Sequence, residues 1–316
     1  MNRDQKIKIA MIICGVVLAC AVILTFTGGF GVAGLGSYAN ADKYTAGETE
    51  VKEPVKNLDI NWTSGKVTVA YHAENTITLR ETAKRDLSED EKLQWWLDGT
   101  TLRVQFTKPG IRWNMPGKEL TITLPQDIQL EDVSIQLTSG DAEVPSLKAE
   151  KAELGCTSGH VDAVLDADNV TVESTSGDLK VMLKGAADSV RVGSTSGDIQ
   201  LEAEKAGTIS AGATSGKISI TAGEAEKVKV GSTSGKINVS LRKVDILEIG
   251  ATSGEITAAL PENPGFTATV STTSGKVSYD IALTREGDHY VCGDGSAQVE
   301  IGSTSGNVRI EAAPEK

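Results

Sequence analysis

Hydrophobic and polar positions alternate along most of this chain with a period of two, and the alternation restarts at a nearly fixed distance. Around Thr233 the order is Val228-Lys-Val230-Gly-Ser232-Thr-Ser-Gly235-Lys-Ile237-Asn-Val239. Apolar or small residues stand five, three and one places before the Thr and four and six places after it. Period two means strand on both sides of the glycine, and the glycine is expected to turn the chain between them. Val190, Val192 and Ser194 with Ile199 and Leu201 repeat the pattern. So do Leu247, Ile249 and Ala251 with Ile256 and Ala258, and Val299, Ile301 and Ser303 with Val308 and Ile310.

The tripeptide Thr-Ser-Gly begins at Thr63, Thr138, Thr157, Thr175, Thr195, Thr214, Thr233, Thr252, Thr273 and Thr304. From Thr138 to Thr273 the steps are 19, 18, 20, 19, 19, 19 and 21 residues. Two strands in about 19 residues leave no room for a βαβ unit. The period therefore predicts an all-β parallel β-solenoid (a β-helix) whose rungs stack about 4.8 Å apart, right-handed by the usual crossover chirality. Gly140, Gly159, Gly177, Gly197, Gly216, Gly235, Gly254, Gly275 and Gly306 are its expected turns. The place before each Thr is mostly small, as an inside corner requires, and Cys156 fills one slot there as a core residue. The place after each Gly is an outward, charged column. In it Asp198 is expected beside Lys217, Lys236 beside Glu255 and then Lys276, and Asp178 beside Asp198 as a like-charge pair with a weak claim on a cation.

Residues 131–316 carry this repeat, interrupted at 283–298 by an insertion with His289, Tyr290, Cys292 and Gly293-Asp294-Gly295. The insertion is expected to loop or hairpin out of the stack. Residues 56–130 alternate without the period and read as an irregular β cap, with a short capped turn of helix predicted from Ser88-x-x-Glu91. Trp62, Trp95, Trp96 and Trp113 all fall there, while 131–265 holds no Phe, Tyr or Trp. They are read first as the core of a cap closing an open end, and second as an amphipathic platform for glycan or lipid headgroups.

Residues 9–26 are continuously apolar behind Arg3, Lys6 and Lys8. Residues 1–30 thus read as a cytoplasmic N-terminus and one transmembrane helix, with 31–55 as linker and the rest extracytoplasmic. Secretion after cleavage at Ala39-Asn40-Ala41 and lipidation at Cys20 are the rival readings, and both also export the chain. Gly29-x-Gly31-x-x-Gly34 lacks a strand-turn-helix setting and is a chance match to the dinucleotide fingerprint.

Composition narrows function further. The chain has 33 glycines, 4% aromatics and a formal charge of −12, which excludes the basic footprint of a nucleic-acid binder. Cys14, Cys20, Cys156 and Cys292 form neither a CxxC pair nor a disulfide framework. No metal or cofactor site is indicated. His72, His160 and His289 lie on distant segments, and Gly-Ser-Thr-Ser-Gly is not a nucleophile elbow, so an enzyme is not expected.

The Thr-Ser-Gly-x-(Ile/Val)-x-(Val/Ile) rungs resemble the bacterial adhesin-like family known as the domain of unknown function 4097. The closing Gly293-Asp294-Gly295…Val299-x-Ile301-Gly-Ser-Thr-Ser-Gly306-Asn-Val308-x-Ile310 shares the likeness, which covers roughly 55–311. The resemblance implies a bacterial cell-envelope β-solenoid, often behind a membrane segment and linked to adhesion or envelope stress. It brings no catalytic residues. The expected function is a non-enzymatic binding or scaffold domain whose partner is an envelope glycan, lipid or protein, with Trp95, Trp96, Trp113, His289, Tyr290 and Asp294 as candidate contacts. An envelope-stress sensor acting through a membrane partner is the alternative, and a polysaccharide-acting β-helix enzyme a remote one.

Overall fold

The computed structural model describes residues 38–110 and 115–314. The apolar segment 9–26, its cysteines and Trp113 lie outside the described residues. Among those described, no helix is long and apolar enough to cross a membrane. The chain divides into two compact units, which within the described residues span 38–181 and 182–314.

In the first unit a 3-10 turn (Ala41–Lys43) precedes β1 (Thr45–Ala46), β2 (Thr49–Val51), β3 (Asn57–His72), β4 (Ile77–Ala83), β5 (Gln94–Asp98), β6 (Thr101–Gln105), β7 (Lys118–Pro125), β8 (Leu130–Ser158) and β9 (Val161–Ser176). Residues 38–51, expected as linker, are thus part of the fold. β3 runs straight through the first Thr-Ser-Gly and pairs in parallel on both sides. On one side it meets β6 and β7, with Leu58 opposite Leu102 and Val67 opposite Leu120. On the other it meets β8, with Ile60 opposite Ile135 and Gly65 opposite Gly140. The first motif in the chain is therefore the second layer of its stack. Antiparallel β4 and β5 cover β7 and β6, and β2 and β1 pair with β4 and β5 in turn.

The interior beneath these strands holds large side chains: Trp62, Leu79, Leu93 and Phe106 are buried. Lys118 is fully buried among them. Its ammonium meets Glu81 Oε2 at 2.9 Å, donates to the carbonyls of Glu91 and Phe106, and lies 5.1 Å from the centre of the Trp62 ring. Burial pulls the Lys118 pKa down and the Glu81 carboxylate opposes that pull. The predicted helical turn at Ser88 does not form a helix. Glu91 accepts from the Ser88 amide at 2.9 Å, and the amides of Glu91 and Lys92 both return to the Ser88 carbonyl. A single closed turn results, because the chain enters β5 at Gln94.

β10 (Leu179–Ser196) leads into the second unit, followed by β11 (Ile199–Ser215), β12 (Ile218–Ser234), β13 (Ile237–Ser253), β14 (Ile256–Leu260), β15 (Gly265–Ser274), β16 (Val277–Asp280), β17 (Thr284–Glu286), β18 (His289–Gly293), β19 (Ala297–Ser305) and β20 (Val308–Ala312). β11, β12 and β13 stack in parallel with an offset of 19 residues, so Ile199, Ile218 and Ile237 form one column. Each coil has an inward residue that the sequence pattern did not mark. Ala206, Ala225 and Val244 fill the corner opposite the motif, all buried.

The stacking order then departs from chain order. β13 and β14 pair with β19 and β20, and these pair on their far side with β15 and β16. The tenth motif therefore sits between the eighth and the ninth. β17 and β18 form a hairpin, but it does not simply leave the stack as expected, since β18 folds back antiparallel onto Gly265–Ala268.

The motif glycines from Gly159 onward lie at the bends where one strand ends and the next begins, and they are contact points as well. At Gly216 φ is 123°, a backbone that disfavours side chains, and a Cβ there or at Gly235 would fall closer than 3.0 Å to the carbonyl of the glycine one rung below. In two rungs the residue before the Thr bonds to a neighbouring glycine's carbonyl as well. Cys156 Sγ donates to Gly140 O at 3.3 Å and Thr272 Oγ1 to Gly306 O at 3.1 Å. Ser232 and Ser303 are buried at the same place. The 18-residue step in the sequence has a visible cause as well. Between β8 and β9 the offset changes from 19 to 18 across Val144 and Leu147, a bulge that accommodates Pro145.

Candidate functional site

The outward face of the first unit gathers the most varied chemistry. Alternation along β5 sends neighbouring tryptophans to opposite sides. Trp95 stands opposite Val104, which is buried, and Trp96 opposite Arg103 on the outward side. Trp95 thereby joins the core side, while Trp96 joins a half-buried aromatic shelf. Tyr44 packs edge-on against Trp96 with ring centres 5.7 Å apart, and Tyr38 against Tyr44 at 4.8 Å. Lys43 lies over the Trp96 ring at 4.7 Å, and Tyr38 OH donates to the Thr107 carbonyl at 3.3 Å. Burial raises the Tyr44 phenol, partly offset by its hydrogen bond with Gln105.

From the shelf a polar surface extends across β6, β3 and β8 in strict register. Gln105, Asn61 and Gln136 follow one another as a row of carboxamides. Beside it run Arg103, Asp59 and Ser134. Arg103 pairs with Asp59 and also reaches Asp98 at 3.3 Å. Asn61 donates to Asp59 at 2.8 Å, and Asn57 accepts from the Asp132 amide at 3.1 Å. A shallow cleft of about 310 Å³ is lined by Asn57, Asp59, Arg103, Ser134, Lys151 and Glu153, beside the carboxamide row. Planar amides, a held guanidinium–carboxylate pair and an aromatic shelf give fixed donors and acceptors beside a flat apolar surface.

Tyr38, Tyr44, Asp59 and Arg103 did not emerge from sequence reasoning. Tyr38 and Tyr44 flank a three-residue turn and a two-residue strand, too short for a periodicity, within a segment that reads as linker. His289, Tyr290 and Asp294 belong to the second unit. His289 Nδ1 is 2.9 Å from Thr269 Oγ1, and Tyr290 packs against Tyr279 at 5.5 Å. Asp294 closes its own turn by accepting from the Ser296 amide at 3.0 Å.

The outward column also resolves into structural roles. Asp141 accepts from the His160 amide at 2.9 Å, Asp198 from the Lys217 amide at 2.7 Å and Asn307 from the Lys276 amide at 3.0 Å. Each side chain caps the next rung's backbone. Lys236 pairs with Glu255 at 2.8 Å, but Glu255 does not neighbour Lys276, because the tenth motif intervenes. Among the described residues no three His, Cys, Asp or Glu side chains gather to hold a metal ion. Cys156 and Cys292 are buried free thiols, and burial pushes Cys156 up to about 11.

The family model described as Toastrack DUF4097 matches residues 55–311. No curated protein matches this chain. A structure described as a candidate cell adhesion protein from Clostridium sporogenes is 14% identical with a TM-score of 0.21, covering 84% of this chain and 99% of that one. Candidate adhesins from Bacteroides fragilis and Parabacteroides distasonis are 17% and 12% identical, with TM-scores of 0.41 and 0.38. The first covers 84% of this chain and 95% of its own, the second 83% and 96%. Likeness at this level carries no argument about a ligand.

Proposed function

This chain belongs to the Toastrack DUF4097 family, and on that premise we propose that it is a non-enzymatic, adhesin-like binding protein displayed outside the cytoplasmic membrane. Its ligand is an envelope glycan, taken on the outward face of the first unit. The observation that carries this reading is the Tyr38–Tyr44–Trp96 shelf, with Trp96 in register with the Arg103–Asp59 pair and the carboxamide row alongside. Sugars present apolar ring faces and equatorial hydroxyls together, and a shelf beside fixed amides meets both needs. Lys43 over Trp96 supports an acidic or acetamido-bearing sugar at that end.

Co-sedimentation of the full-length protein with cell-wall sacculi tests the reading. Saturable binding is expected, with Tyr44→Ala and Trp96→Ala each weakening it about tenfold. No binding to sacculi, or binding indifferent to both substitutions, would sink it. Binding to anionic vesicles instead would transfer the face to a lipid headgroup.

A further inference from the structure

The ends of the two units are finished differently. In the first, β6 and β7 are covered by antiparallel strands along their lengths. In the second, β18 pairs only with Gly265–Ala268 of the outermost layer, its Tyr290 ring lying against Tyr279, and among the described residues β16 pairs with β20 alone. The alternation of the backbone then fixes what β16 offers. Lys276 directs both its amide and its carbonyl toward the inner layer, to Asn307 and Val308. In a parallel ladder the next residues of that kind are Ser278 and Asp280, so Val277 and Tyr279 turn their amides and carbonyls to the open edge. Their side chains face the end of the core. Tyr279 is 47% exposed and Val277 half-buried, although Ile310 and Val308 beside them in the inner layer are fully buried.

We propose that this edge is an interface for a second copy of the same chain, with β16 pairing antiparallel to itself about a two-fold axis at Ser278. The edge is complementary to its own rotated image. With Ser278 opposite Ser278, Val277 meets Tyr279 of the other copy twice, and these are the residues whose backbone groups face outward. Two hydrogen-bonded pairs form, giving four new backbone bonds. On the core side they place a β-branched residue against an aromatic one, a favourable cross-strand pair. On the outer side Lys276 falls opposite Asp280, again twice. Asp280 is already held by Arg309 of its own chain, so the carboxylate is oriented to receive the second cation. Any shift by one residue sets inward side chains against outward ones, and a shift by two loses the charge match. An unrelated strand can use the free backbone groups but has no reason to match both rows. Closure of the edge also removes an aggregation template, and an isologous dimer ends after two copies.

The register makes a sharp test possible in the full-length chain, held in a mild non-ionic detergent. Non-hydrogen-bonded residues across an antiparallel pair have Cα atoms about 4.5 Å apart, within disulfide reach. Ser278→Cys should therefore cross-link to itself under mild oxidation roughly tenfold faster than Thr284→Cys, an exposed position off the interface, as held proximity raises effective concentration. The wild type reports the background of the native thiols. Charge reversal supplies the second measurement. Lys276→Glu and Asp280→Lys should each dimerise about tenfold less well, since each sets like charges opposite one another twice. Mixed in equal amounts, the two variants should recover dimers of one copy each, because the heterodimer restores both pairs. A monomeric wild type at micromolar concentration overturns the proposal. So does Ser278→Cys cross-linking no faster than Thr284→Cys, or a failure of the mixed variants to associate.

Discussion

Trp62 and Ser232 hold the same place relative to a Thr-Ser-Gly motif, and their surroundings have almost nothing in common. Trp62 is sealed into the cap, edge-on to Phe106 at 4.9 Å, with Nε1 donating to the Lys118 carbonyl at 3.0 Å. Ser232 lies between Ala213 and Ala251 in a column of its own counterparts. In the rungs each residue's neighbours above and below are copies of itself, so every place must suit both its own coil and the adjoining ones. That selects small, interchangeable residues and rules out bulk at the glycine contacts. The cap has unique neighbours at each place, so it accepts large aromatics and a buried charge, but it has no spare copy of any contact. Regularity distributes stability, whereas the cap concentrates it.

The concentrated side is the easier to break. Lys118→Met removes one partner of a buried pair and leaves Glu81 uncompensated, a loss of about 3–5 kcal/mol. Tryptophan fluorescence should report it selectively, because no tryptophan lies between residues 131 and 316. Urea melts followed by fluorescence and by far-ultraviolet circular dichroism should then separate, with the fluorescence midpoint falling first. Coincident melts would mean that cap and rungs unfold as one.

Gly216→Ala strikes the other side. A Cβ at that φ and against the Gly197 carbonyl should cost about 1–3 kcal/mol, read as an earlier dichroism midpoint. Cys156→Ser probes interchangeability directly. Serine stands at that place in other rungs, where the Ser174, Ser194, Ser232 and Ser303 hydroxyls are buried without a hydrogen-bond partner, so the change should cost about 1–3 kcal/mol. A larger loss would show that the column is tailored rung by rung.

Glu91→Gln gives the smallest effect and the one that depends on pH. Hydrogen bonds from Arg85 and Ser88 hold the Glu91 carboxyl at about 2, below its ordinary 4.5. A depressed carboxyl stabilises the fold above its unfolded value and loses that contribution as pH falls through the folded one. The wild type should therefore melt later than Glu91→Gln at pH 7, and the two curves should converge between pH 4.5 and about 2. A gap that persists at acid pH would assign the effect to packing.

The rungs were legible because a period of 19 fixes register between neighbours, down to the one-residue step absorbed near Pro145. Order at the two ends was not legible. A period states that copies match but not which copy lies beside which, and nothing near Thr63 or Thr304 marks either as an inserted layer. Trp62 was the one hint, a large residue where small ones are the rule, because its neighbour is Lys118 rather than glycine. The candidate face was half legible. The tryptophans drew attention to β5, while Tyr38 and Tyr44 arrive from a segment whose strands are too short to carry a pattern.

The insertion of β19 and β20 between β14 and β16 bears on how the protein is made. A ribosome delivers β15 and β16 first, yet the layer they rest on is still unsynthesised. The ninth motif has no parallel layer to rest on until the tenth emerges. A chain cut short before Ala297 would leave Ile246–Ser253 of β13 without its second parallel neighbour and β15 without the layer it rests on.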